Sequence, residues 1–278
     1  MSKVAILTDS NSGITQAQSK EMGVTVIPMP FFIDGEQYFE DINLTQEEFY
    51  KKLQEDADIS TSQPSVGELQ EYFDKLLKDY DEIVFIPMSS GLSGTCQTAT
   101  MLADEYDRKV HVVNNQRISV TQRQSVIDAL NLAKKGYSAL EIKEILEREK
   151  MESSIYITLD TLKYLKKGGR LSATSAIVGG VLGITPVISV VDGSVEVLAK
   201  TRGHKKSIKF MVDYMKENQP DYNYAADFAY TRIIKNLDSF KESCKPEFQF
   251  SEESTREIGA AIGTHIGPGA FGVAYISK

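Results

Sequence analysis

Short apolar runs alternate with stretches of helical periodicity through the first half of the chain. Val4-Ala5-Ile6-Leu7 reads as a buried strand, followed by the polar loop Thr8-Asp9-Ser10-Asn11-Ser12-Gly13 and a helix from about Thr15 to Met22. Val24 to Pro30 forms the next strand, and Phe31 to Tyr38 a hairpin with Asp34-Gly35 at its turn. Thr45-Gln46-Glu47-Glu48 opens a helix in capping-box style. Pro64 holds Gln63 extended, so Thr61 and Ser62 fall in an ordered turn ahead of a helix from Val66 to Leu77. Ile83 to Ile86 is a buried strand that runs into Pro87-Met88-Ser89-Ser90-Gly91-Leu92-Ser93, and a helix from Gly94 to Ala103 follows. His111-Val112-Val113 is a further strand, with His111 expected in the core. A polar stretch from Asn114 to Gln124 comes next, then a helix through Leu132 and another from Ser138 to Glu149. Strand–helix–strand alternation of this kind predicts a parallel sheet.

After residue 150 the pattern changes. Ile155 to Thr158 is a strand, and Leu162 to Ser172 a helix ended by Gly168-Gly169. Pro186 to Leu198 makes a hairpin around Asp192-Gly193, a helix spans about Lys206 to Glu217, and a final strand runs from Phe271 to Ile276. The expected fold class is α/β: a parallel-sheet domain over residues 1–150 and an α+β domain over 151–278, divided only by this change of pattern.

With 278 residues the chain can bury an ample core. A formal charge of −8 and the lack of any basic cluster argue against nucleic acid or an anionic membrane surface as the main partner. The opening residues read as a strand rather than a signal peptide, and Cys96 and Cys244 fall in no metal or redox spacing. Together these predict a reducing, cytoplasmic setting. Leu171 to Val191 is uncharged for about the roughly 20 residues a membrane span needs. Ser172, Thr174, Thr185 and Pro186 interrupt it and it ends in a strand-like run, so it reads as buried rather than membrane-spanning.

Three loops carry candidate chemistry: Thr61 before a proline turn, Ser93 at a helix start, and His265 in a glycine-proline loop. Ser93 occupies an N-cap position, and a helix start with free N–H groups and hydroxyls suits a small anion. The loop holds no Lys or Arg, so it is no Walker A loop, and a single carboxylate fits it better than a triphosphate. Each of the three residues is also an ordinary cap or turn residue when taken singly. Gly91-Leu92-Ser93-Gly94-Thr95 is one glycine out of place for a nucleophile elbow, which leaves an acyl-ester serine hydrolase, with Ser93 as nucleophile and His265 as base, as the alternative. No His or carboxylate pair has metal spacing, so neither metal nor cofactor is expected.

Six motifs in order carry a family likeness: Thr8-Asp9-Ser10, Thr61-Ser62-Gln63-Pro64-Ser65, Ser89 to Thr95, Leu162 to Ser172, Thr201-Arg202-Gly203 and His265 to Ala270. Across essentially its whole length the sequence resembles the DegV family, in particular the fatty-acid-binding subunit of bacterial fatty acid kinase (FakB type). The resemblance implies a two-domain fold, Rossmann-like at the N-terminal end and α+β at the C-terminal end, with one long-chain fatty acid in a tunnel between them. It implies that Thr61 and Ser93 hold the carboxylate with His265 beside it. Arg170 and Arg202 would lie around the tunnel mouth, where a kinase docks and phosphorylates the carboxyl to an acyl phosphate. On this likeness the protein is a carrier and not the catalyst, and transient membrane contact would be compatible with that role. Cys96, the stretch Asn114 to Gln124, and Thr185 depart from the family pattern and bear on the preferred acyl chain and partner.

Overall fold

The computed structural model describes residues 2–171, 184–218, 220–221, 223–232 and 237–277. Strands β1 (Val4–Asp9), β2 (Thr25–Ile27), β6 (Glu82–Ile86) and β7 (Val110–Val112) form a parallel sheet in the order β2-β1-β6-β7. Side chains alternate across it, with Ala5, Leu7, Ile83 and Phe85 on one face and Ile6, Val84 and Ile86 on the other. Helices α3 (Val66–Leu76) and α4 (Thr95–Ala103) cover the first face through Leu69, Phe73 and Ala99. Helices α5 (Val120–Lys134) and α6 (Ala139–Arg148) cover the second through Val126, Ala129 and Ile142. Burial on both faces is why these strands read as continuous apolar runs. Between β1 and β2 lies α1 (Gln16–Met22), which starts in a Thr15–Gln18 capping box.

A small antiparallel sheet, β4-β3-β5, combines β3 (Pro30–Ile33), β4 (Glu36–Phe39) and β5 (Ile59–Thr61). Asp34 and Gly35, with φ of 51° and 88°, make the left-handed turn expected of an Asp-Gly hairpin. Helix α2 (Gln46–Gln54) enters through its predicted Thr45–Glu48 capping box and packs Phe49, Tyr50 and Leu53 with Phe31 and Ile59.

The third sheet is six-stranded, in the order β10-β9-β8-β13-β11-β12. It comprises β8 (Ser153–Thr158), β9 (Thr185–Val191), β10 (Ser194–Thr201), β11 (Tyr224–Tyr230), β12 (Phe250–Glu257) and β13 (Phe271–Ser277), antiparallel except for β11 beside β12. Tyr156, Phe228, Phe271 and Tyr275 pack with Met211 and Met215 of α8 (His204–Glu217) and Phe240 of α9 (Leu237–Cys244). On the opposite side Ile155, Ile157, Ile188 and Val195 meet Leu92, Ile118 and Val120, which follow the carboxyl ends of β6 and β7. Helices α7 (Lys163–Lys167) and α10 (Ala260–Ile266) join that layer through Leu165, Ile262 and Ile266. The apolar face of the six-stranded sheet is thus laid against the carboxyl-end loops of the parallel sheet, the customary place for a ligand crevice in this fold class.

The structure departs from the sequence reading at particular places. Thr61 closes β5 instead of lying in a turn, because it pairs with Phe31 across the sheet. His265 lies on α10 and not in a loop; the glycine-proline loop begins only at Gly267, where φ is 79°. Helix α5 starts inside the polar stretch, so Thr121, Gln122 and Arg123 are buried on a helix. His111 sits on the edge strand β7 and is only half-buried. Helix α8 begins two residues early, at His204, whose Nε2 lies 2.8 Å from Asp160 Oδ1. Of the uncharged run from Leu171 to Val191, the final seven residues form β9, while residues 172–183 lie outside the described residues. Among the described residues no helix is long and apolar enough to cross a membrane.

Candidate functional site

Strands β1 and β6 end side by side, and the loops that follow them border a cavity of about 210 Å³. The Asp9 carboxylate organises this corner. Its Oδ2 accepts the Met88 N–H at 2.8 Å, and its Oδ1 accepts the Asn11 N–H at 3.0 Å, Asn11 Nδ2 at 3.0 Å and Gln122 Nε2 at 3.1 Å. Burial pushes the Asp9 carboxyl above its ordinary range, and these donors oppose the shift. Asp9 thereby ties the loop after β1 to the loop after β6.

Residues 87–94 are held from several sides. The Ser89 N–H donates to Arg117 O at 2.9 Å, and Ser89 Oγ donates to Gly193 O at 2.7 Å, at the tip of the β9–β10 hairpin. The N–H groups of Leu92 and Ser93 both return to Ser89 O. Glycine is required at position 91, since a Cβ there would lie 2.5 Å from Gly193 O. Ser93 is not the N-cap of α4. That place belongs to Gly94, whose φ of −70° and ψ of −9° are already helical, so the hydroxyl falls one residue early. Ser93 Oγ lies 2.9 Å from Thr95 Oγ1 and accepts the Thr95 N–H at 3.3 Å, which still puts it at the electropositive start of α4.

Thr61 and His265, distant in sequence, meet here, with Oγ1 and Nε2 2.8 Å apart. Gly168, just after α7, presses on the far side of the ring, where a Cβ would overlap Nδ1. Nδ1 is buried without a hydrogen-bond partner, so a proton on it would be stranded. We assign the proton to Nε2, which donates to Thr61 Oγ1 and leaves the Thr61 hydroxyl free to donate to a ligand. Burial, and after it Arg170, pushes the His265 pKa down to about 4, so the ring is neutral at physiological pH. Arg170 donates from Nε to Leu92 O at 3.3 Å and from Nη1 to Gly168 O at 2.5 Å, joining the end of α7 to the Ser93 loop.

Thr61, Ser93, His265 and Arg170 all line the one cavity. Arg202 does not; it is exposed beyond the end of β10. Met29, Met88, Leu92, Ile118, Ile262 and Ile266 supply apolar wall. Asn11 also lines the cavity and carried no signal in the sequence beyond its place in a polar loop. Ser93 and His265 share the cavity without a hydrogen bond between them, so the nucleophile–base pairing of a hydrolase is not formed. Cys96 is buried on the inner face of α4 and does not line the cavity, its thiol pushed up to about 11 by burial. Thr185 accepts the Gly203 N–H at 3.2 Å at the base of the β9–β10 hairpin. Among the described residues no three His, Cys, Asp or Glu side chains cluster as metal ligands.

Helix α10, which presents His265, is capped from a distance. Its N-cap residue Gly259 has no side chain to offer, and Glu40 Oε2 accepts the Ala260 N–H instead, at 2.9 Å. Glu40 also borders a wider, mostly polar cleft of about 440 Å³ together with Glu47, Arg232 and Glu257. Burial raises the Glu40 pKa to about 7, opposed by the Ala260 N–H and increased by Asp41 and Glu257.

Fold and site together define an α/β protein whose crevice between two sheets is suited to an amphipathic small molecule: apolar walls, with uncharged hydroxyls and a neutral imidazole at one part of the lining. The DegV family model, described as an uncharacterised protein of the DegV family, matches residues 3–278. A DegV domain-containing protein of Caldanaerobacter subterraneus subsp. tengcongensis is 34% identical over 280 residues, covering 100% of both chains. The structure of a DegV family protein from Thermus thermophilus, described by its fatty acid binding, has 28% identity and a TM-score of 0.90, covering 99% of this chain and 100% of that one. The fatty acid binding DegV family protein of Streptococcus agalactiae has 28% identity and a TM-score of 0.91, covering 100% of both chains. The chain belongs to the DegV family.

Proposed function

We propose that this protein is a cytoplasmic fatty acid carrier, built from units 1–150 and 151–278, that holds a long-chain fatty acid between them and presents its carboxylate to a kinase. The observation that carries the proposal is the convergence of Thr61, Ser93 and His265 in the lining of a cavity walled mainly by apolar side chains. The fatty acid binding described for DegV proteins of similar structure supports the same reading. Burying about 14 methylenes is worth roughly 11 kcal/mol before ordering costs, whereas a hydrogen bond to a charged group nets only about 1.5–3 kcal/mol. The tail therefore supplies affinity, and the hydroxyls decide which end faces outward. Holding the carboxylate by hydroxyls also leaves it reactive, where a bidentate arginine would compete with a kinase for its oxygens. Arg170 has its donors turned to Leu92 O and Gly168 O, and Arg202 is exposed outside the lining, so both suit the face a kinase would meet.

The cavity is smaller than the roughly 300–1,000 Å³ that encloses drug-sized ligands. It takes the head group and the near part of a chain, and the remainder needs apolar side chains to move. Met29 and Met88, unbranched and adaptable, are the side chains best suited to yield. Native mass spectrometry of untreated protein purified from bacteria is expected to show one bound fatty acid per chain. A ligand-free spectrum that palmitate or oleate leaves unchanged would sink the proposal. Turnover of a p-nitrophenyl ester that disappears in S93A would favour the hydrolase alternative.

A further inference from the structure

We propose that Thr95 is a positioning residue of the carboxylate site, an inference that rests on the fatty-acid reading above: its hydroxyl donates to Ser93 Oγ and so commits Ser93 to donating to a bound acid. Thr95 is the first residue of α4 and is fully buried, whereas Ser93 is half-buried and lines the cavity. The two hydroxyl oxygens lie 2.9 Å apart, and the Thr95 N–H also reaches Ser93 Oγ, at 3.3 Å. Among the described residues the Thr95 hydroxyl has no other hydrogen-bond partner. Thr95 is absent from the lining, so it acts through Ser93.

If Ser93 gave its proton to Thr95, the Thr95 proton would be stranded out of reach of water. A buried donor without an acceptor is costly, so the favoured arrangement has Thr95 donating. Ser93 Oγ then accepts both the N–H and the O–H of Thr95, which fills its lone pairs. Its own proton is left for the ligand. Thr61 is treated in the same way: His265 Nε2–H occupies an acceptor place on Oγ1, 2.8 Å away, and leaves that hydroxyl to donate. Both hydroxyls thus present protons. An ionised carboxylate accepts them, and an alcohol, with a proton of its own to place, matches them less well.

The test compares Thr95→Val, which keeps the shape and removes the hydroxyl, with Thr95→Ser, which restores it, in the delipidated full-length protein. Affinities for palmitate and for 1-hexadecanol are measured by displacement of a fluorescent fatty acid, first alone and then with Ser93→Ala added. T95V is expected to bind palmitate about fivefold more weakly than wild type and hexadecanol within about twofold, and T95S to recover palmitate binding. With S93A in place, T95V should change palmitate affinity by less than about twofold, because the two residues act as one unit. Equal losses for both ligands, no loss for either, no recovery in T95S, or a fivefold loss that persists with S93A each overturn the inference, while palmitate binding by wild type preserves the fatty-acid reading. Wild type that binds neither ligand overturns both. Should T95V lose its thermal transition, Thr95→Ala replaces it in the same series. Loss of the transition in both makes the threonine structural and overturns the inference.

Discussion

Ser93 and His265 show how much a single hydrogen-bond partner decides. Ser93 turns to Thr95 and His265 to Thr61, so the pair that hydrolase chemistry needs is split between two neighbours. Because Gly94 and not Ser93 holds the cap position, α4 does not depend on the Ser93 hydroxyl for its start. Ser93→Ala should therefore keep its thermal transition, with stability changed by no more than about 1 kcal/mol, while fatty acid affinity falls about tenfold. Calorimetry and ligand displacement on the same preparation check this; loss of the thermal transition would make the serine structural. Thr61, Ser93 and His265 were legible because hydroxyls and one of only 3 histidines stand in short polar segments. Asp9 stood out only as part of a motif and Asn11 not at all, since a polar loop after a strand looks the same whether it binds water, a turn or a ligand. Gly168 was illegible for a different reason: its need for a bare Cα arises from a ring brought to it by the fold.

Helix α10 was missed for a physical reason that applies to whole elements. Its N-terminal N–H is satisfied by Glu40, 220 residues earlier, so the local sequence carries no cap signal and opens on glycine. Helices α1, α2, α3 and α6 each carry their own capping box, and their starts could be read or nearly so. The borrowed cap has a pH signature. Glu40 titrates near 7 in the fold against an ordinary 4.5, so the folded state keeps its proton longer and stability falls as pH rises between those values. His265 runs the other way: about 4 in the fold against 6.5, so the unfolded chain protonates first and stability is lost as pH drops through that window. Each effect reaches at most about 3 kcal/mol, and the two oppose one another from pH 4.5 to 6.5. Glu40→Gln can still accept the Ala260 N–H but cannot ionise. Urea unfolding from pH 4 to 7 should therefore show E40Q gaining stability with rising pH more steeply than wild type. Coincident pH profiles would show that Glu40 is not the opposing group.

For the whole molecule, the change from strand–helix alternation to hairpins was readable, and the sheets follow it: every strand of the first two sheets precedes residue 113, and every strand of the third follows 152. The sequence could not say which face of the later sheet meets the earlier one, because both of its faces are apolar. Arg202, expected around the tunnel mouth, is exposed and lies outside the lining of the cavity. Arg202→Ala should accordingly leave fatty acid affinity within about twofold of wild type, as surface substitutions usually do, while acyl phosphate formation with a partner kinase drops. Parallel loss of both would place the guanidinium at the lipid.

Between the two sheets stands the contact of Ser89 and Gly91 with the hairpin tip at Gly193, one hydrogen bond beside one absent β-carbon. On the proposed fatty-acid reading this contact would act as a spacer that sets the width of the chamber from outside the cavity lining. Two proteins with identical walls could then admit different tails, and a search for what tunes chain preference in this family belongs at that hinge pin as much as in the lining.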